Sequence, residues 1–175
     1  MTTPHVTPNR LICIVFFILA NEFTVNTPVV YGYDLAWFVV HLNFFTFKVR
    51  ACSEVRLILA EDPFVSSATS TRVHEVVVGG WQNTKSVIYK DTINNETVVE
   101  TATPRILNCN EFREFWIQWQ TDGNISVGEG AVGTGEFLRY TDPDPHPIHS
   151  VSISTGEGSS GQWQISSETG GSMYV

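Results

Sequence analysis

Beyond residue 20 the chain holds no window of 11 or more residues with a helical period. It runs instead as short aromatic and β-branched stretches cut by turn formers. Residues 35–42 and 44–51 are two such runs, parted by Asn43, and 55–60 follows. Residues 73–78 end at Gly79-Gly80, where a run over 81–90 begins. Stretches 97–101, 111–120, 125–127, 137–141, 151–155 and 162–166 complete the series, with Asp122-Gly123-Asn124 as a hairpin signal. About ten short strands at a spacing of roughly 8–12 residues predict an all-β fold. We read a single antiparallel β-sandwich, jelly-roll-like.

Residues 111–120, EFREFWIQWQ, show how one strand divides its chemistry. Alternate side chains point to opposite faces. Phe115, Ile117 and Trp119 then share the core face, while Phe112, Glu114, Trp116, Gln118 and Gln120 share the other. A Trp among amides and a carboxylate suits a half-apolar recognition surface. The alternative is that Trp116 packs beneath a loop.

Ten basic residues against 18 acidic ones give a charge of −8. A phosphate backbone requires a cationic footprint, so this balance argues against nucleic acid as a partner. Residues 1–20 carry one charge, Arg10, directly before an apolar run over 11–20. Ten residues are too few to span a bilayer, which takes about 20. They fit the apolar region of a secretory signal ending at Ala20, although Ile18 is poor for cleavage there. The alternatives are a buried first strand or a misplaced start. Cleavage would remove Cys13 and leave Cys52 and Cys109 in a mature chain 21–175. Two cysteines in an exported domain suggest one disulfide, whereas two buried thiols would suit a cytosolic protein. Sequons at Asn95 and Asn124 are compatible with export as glycosylation candidates.

Several motifs lead nowhere. Gly128–Gly133 and Gly156–Gly161 both spell GxGxxG, but strand-like sequence follows each, and Glu129 or Glu157 would repel a phosphate. The two units echo one another, as similar edges of one sandwich would, with glycine permitting close backbone approach. Residues 142–149 alternate proline with Asp142, Asp144, His146 and His149. Such groups could ligate a metal, yet nothing upstream offers a matching pair, and the prolines favour a stiff connector beside a binding site. No metal is expected. There is no GxSxG, no HExxH (His74-Glu75 precedes three valines) and no zinc-type cysteine pair, and the five histidines form no motif.

Several strings together carry a resemblance: Phe45-Thr46-Phe47-Lys48-Val49-Arg50-Ala51-Cys52, Val78-Gly79-Gly80-Trp81-Gln82-Asn83, Ile106-Leu107-Asn108-Cys109-Asn110-Glu111-Phe112, Tyr140-Thr141-Asp142-Pro143-Asp144-Pro145 and Ser154-Thr155-Gly156-Glu157-Gly158. In this order they resemble the domain named for the farnesoic acid O-methyltransferase of arthropods, over about residues 32–167. The resemblance implies methyl transfer from S-adenosylmethionine to a terpenoid carboxylate. It equally implies a binding module, since the family is similar to domains of extracellular multidomain proteins. The expected α/β unit for that cofactor is missing from the sequence pattern, so no catalytic residue and no cofactor are expected.

Three functions therefore stand open. One is an extracellular recognition module for glycans, with Trp81, Asn83, Trp116, Gln118, Asp142 and Asp144 as candidate ligand-binding residues. The second is the methyltransferase of the family name, with Arg50 or Arg113 receiving the anionic substrate. The third is a structural or protein-interaction domain, its partner an extracellular protein.

Overall fold

A computed structural model describes residues 22–29, 36–62, 72–91, 96–156, 158–166 and 173–174. The signal-like segment 1–20 and the sequon residue Asn95 lie outside the described residues. The strands are β1 (Glu22–Thr27), β2 (Ala36–Val39), β3 (Phe44–Ala51), β4 (Val55–Ala60), β5 (Val73–Gly79), β6 (Lys85–Lys90) and β7 (Glu96–Ala102). They continue with β8 (Arg113–Trp119), β9 (Asn124–Glu129), β10 (Glu136–Thr141), β11 (Ser150–Thr155), β12 (Gly161–Ser166) and β13 (Met173–Tyr174). One sheet has six strands in the order β1-β12-β3-β8-β9-β10, the other seven in the order β13-β2-β11-β4-β5-β6-β7. Pairing is antiparallel, with local meanders β4 to β7 and β8 to β10 joined by long-range neighbours such as β3-β8 and β11-β4. This is the β-sandwich of jelly-roll type that the strand rhythm predicts.

The core lies between the sheets and follows from alternation. In β3, Phe45, Phe47, Val49 and Ala51 are buried, while Arg50 is exposed at the outside. In β8, Phe115, Ile117 and Trp119 point inward as expected. Phe47 packs against Phe115 and Trp163 with ring centroids 5.6 and 5.3 Å apart, which ties three neighbouring strands into one aromatic layer. No helix among the described residues is long and apolar enough to cross a membrane.

The seven-stranded sheet is buried on its outer side too. One register row runs Trp37, Ser152, Ile58, Glu75, Tyr89, Thr97 across six strands. Its first four members are buried, as are Ala60 and Val73 nearby. That explains why 55–60 and 73–78 read as almost continuous apolar runs rather than alternating ones.

The structure differs from expectation at three places. Glu22–Thr27 forms a strand that the sequence left irregular, because its partner β12 supplies the pairing. The run expected from residue 81 starts only at Lys85; Gly80–Asn83 is a single helical turn in which Trp81, Gln82 and Asn83 take φ values of 50, 59 and 62°. The two glycine-bearing echoes do not form matching edges: β9 and β11 lie in different sheets, each flanked on both sides.

Candidate functional site

The candidate residues fall in three separate places. On the outer face of the six-stranded sheet, Trp116 is only 1% exposed and its indole Nε1 donates to the Thr134 carbonyl at 2.8 Å. The segment after β9 folds back over the ring, held by a hydrogen bond from the Gly130 N–H to the Glu114 carbonyl. Gly128, the register partner of Trp116, lies against the indole, where a Cβ would come within 2.4 Å of two ring atoms. The expected recognition face is therefore corrected to the alternative: Trp116 packs beneath a loop, because the glycine paired with it leaves room for the ring and the Thr134 carbonyl takes its N–H. Gln118 stays half-buried beside Ser126 on this face, and Asn124 is half-buried in the hairpin.

The second place is the start of the proline-rich connector. Asp142 is 1% exposed and its carboxylate is already committed. Oδ1 accepts from Lys90 Nζ at 2.5 Å and from the Asp144 N–H at 3.0 Å, and Oδ2 lies 3.0 Å from His74 Nε2. Asp142 is thus no open ligand contact, whereas Asp144 is exposed. His74, 2% exposed, stacks on His146 with ring centroids 4.9 Å apart and planes within 3°. Burial, then the neighbouring His146, pulls His74 down to about 4 against the opposing pull of Asp142. Burial also lowers His146. Burial works to raise Asp142, but Lys90 and the Asp144 N–H outweigh it and hold the carboxyl below its ordinary value. The histidines that form no motif in the sequence thus form a pair in space, because β5 and the connector converge there.

The third place gathers Trp81, Asn83 and residues the sequence reading missed. Glu54, Arg56, Val77, Trp81 and Tyr89 line a groove of about 170 Å³ at one end of the seven-stranded sheet. Arg56 donates from Nε to Glu54 at 2.9 Å and from Nη1 to Glu75 at 2.7 Å, so one guanidinium joins two buried carboxylates. Gly156 makes room for this pair; a Cβ there would meet Arg56 Nε and Glu54 Oε1 at 2.6 Å. Burial, then Glu75, raises the Tyr89 hydroxyl above its ordinary value. Trp81 is 46% exposed, with Lys85 Nζ 4.0 Å from its ring centroid.

The turn carrying Trp81 is braced rather than loose. Three consecutive non-glycine residues with positive φ are costly and persist only where the surroundings fix them. Asn83 Nδ2 donates to the Leu107 carbonyl at 2.8 Å and its Oδ1 accepts from the Leu107 N–H at 3.1 Å. Both ends of the Asn83 amide are thereby committed, so it positions the turn. Leu107 in turn stands two residues from Cys109, which is disulfide-bonded to Cys52. The disulfide thus anchors the segment that holds the Trp81 turn. A lone Arg in VRLILA and a lone Glu in HEVVV were the sequence signals for the buried ion group.

Arg50 and Arg113 are engaged elsewhere. Arg50 donates to Gln162 at 2.9 Å and lies over the Phe112 ring, at the rim of a cavity of about 520 Å³ that also includes Asn26, Asn110 and the disulfide. Arg113 lies 3.9 Å from Glu129. The glycine loops do not fit S-adenosylmethionine. Gly128 is filled by Trp116, Gly156 faces Arg56 and Glu54, and strands β10 and β12 follow where a phosphate- or ribose-binding helix would have to start.

A sequence profile described as farnesoic acid O-methyl transferase matches residues 26–169. "Uncharacterized protein 5" of Haliotis asinina is 29% identical over 108 residues, which cover 61% of this chain and 59% of that relative. The chain thus spans less than two thirds of the relative's length. A prokaryotic β-1,3-1,4-glucanase (lichenase) derived from a mouse hindgut metagenome superposes with a TM-score of 0.50 at 13% identity, over 83% of this chain and 79% of the other. The carbohydrate recognition domain of Emp47p gives 0.48 at 8% identity, over 84% and 88%. At such identities the lichenase likeness is one of fold. The profile match, running from β1 past β12, identifies the chain: it belongs to the farnesoic acid O-methyltransferase family.

Proposed function

We propose that the chain is an extracellular recognition module that binds glycans in the groove at Trp81. The observation that carries this reading is a half-exposed indole on a rigid turn, set beside Tyr89 and the Glu54–Arg56–Glu75 group. A pyranose presents an apolar C–H face and a rim of hydroxyls. The indole offers a flat apolar surface at low entropic cost, Tyr89 sets a hydroxyl beside it for the sugar rim, and the Glu54–Arg56–Glu75 ion group holds the groove in shape. Lys85 lies over the indole, which keeps 46% of its surface exposed. The Cys52–Cys109 disulfide supports an oxidising compartment.

The test is a glycan array probed with the purified chain. Selective binding that free sugar competes away supports the reading. A blank array at micromolar protein, or binding unaffected by Trp81→Ala, removes it.

A further inference from the structure

The pair formed by His74 and His146 takes no part in lining the groove, and its hydrogen bonding is incomplete. His74 Nδ1 and His146 Nε2 are both buried and have no hydrogen-bond partner. The bond between His74 Nε2 and the Asp142 carboxylate sets the proton on Nε2 and leaves Nδ1 with its lone pair directed into the protein. One donor atom from each of His74, Asp142 and His146 lies within 4.8 Å of the other two.

We propose that His74 Nδ1 and His146 Nε2 bind a borderline transition-metal dication, Zn²⁺ being the probe, with Asp142 orienting His74 through its Nε2–H. A carboxylate that holds the far nitrogen of a ligating histidine is the usual support of such sites. Two imidazoles select Zn²⁺, Cu²⁺ or Ni²⁺ over Ca²⁺ or Mg²⁺, which take oxygen ligands. Ligand nitrogens on one tetrahedral zinc stand about 3.3 Å apart with their ring planes converging on the ion, so the parallel rings have to turn towards each other as the metal enters. The movement falls to the His146 side chain, which is half-buried and outside any strand, since His74 is fixed within β5. His146 also lines a cavity of about 310 Å³ with Trp119, Gln120 and His149, from which water or His149 completes the coordination. The surrounding charges do not forbid a cation. Lys90 is neutralised by Asp142, and Arg72 lies 3.9 Å from Glu61.

The experiment is calorimetric titration of the chelator-treated full chain with ZnCl₂, paired with thermal melts and with the visible spectrum of the Co²⁺ form. One saturable site with a micromolar dissociation constant is expected, with a melting temperature raised by ~5–10 °C at a hundredfold excess over that constant. His146→Gln should weaken Zn²⁺ at least tenfold and abolish the Co²⁺ spectrum while keeping the apo melt. His41→Gln, at an exposed histidine outside the cluster, should change neither. Absence of saturable binding below 100 μM overturns the proposal. So does unchanged binding in His146→Gln, which would place any metal elsewhere.

Discussion

Trp116→Ala separates a packed indole from a ligand-binding one, and the structure sets its size. The side chain is 1% exposed and loses its contacts with Gly128 together with the Nε1 hydrogen bond to Thr134. Truncating a buried Trp to alanine costs ~3–5 kcal/mol. Here the covering segment 130–135 is mostly exposed and can settle into part of the space, which favours the lower end. At ~2–4 °C per kcal/mol for a domain of this size, the melting temperature should fall by about 6–12 °C. The assay is a thermal melt with a urea titration, followed by glycan binding well below the transition. Binding should be retained there, because Trp116 and the Trp81 groove lie on different sheets. A melt within 1 °C of the parent would refute the packing argument. Lost binding in a fully folded variant would return Trp116 to the recognition site.

Three further outcomes follow from the same contacts. Arg56→Met leaves Glu54 and Glu75 buried without their guanidinium, and should destabilise the domain by ~3–5 kcal/mol in urea titration. Replacing Cys52 and Cys109 together by serine opens a loop of sequence separation 57, worth about 4 kcal/mol by chain entropy, and should also weaken binding at Trp81 by loosening the Leu107–Asn83 brace. Gly128→Ala sets a methyl against the Trp116 ring and the Thr134 carbonyl and should cost about 1–3 kcal/mol, of which Trp116→Ala in the same chain should relieve only the part due to the ring in a double-mutant cycle.

The fold was legible because strand alternation and turn residues are local signals. Phe115, Ile117 and Trp119 face the core as their spacing requires. The opposite face of that same strand was not legible, because whether Trp116 meets solvent depends on a loop closed by the indole's hydrogen bond to the Thr134 carbonyl, eighteen residues on. Trp81 could be named from the sequence, but its turn could not. Gly79-Gly80 announces a break, while the positive φ of the next three residues comes from Asn83 gripping Leu107, a contact between segments. Asp142 looked like a free loop carboxylate because Lys90 and His74 reach it from strands more than fifty residues away. Single charges inside apolar runs, Arg56 and Glu75, did carry a readable message: a charge that a buried strand tolerates has a partner.

On the proposed function, Trp81 carries ligand recognition and contributes little to the fold. Its indole is half-exposed and meets Lys85 in a cation–π contact worth under about 1 kcal/mol, so Trp81→Ala should melt within about 2 °C of the parent. The decisive measurement is titration of the parent and Trp81→Ala with the glycan selected on the array, followed by calorimetry. The variant should bind with at least a tenfold weaker dissociation constant at unchanged stability. Equal affinity in the two proteins would contradict it and move recognition away from this groove.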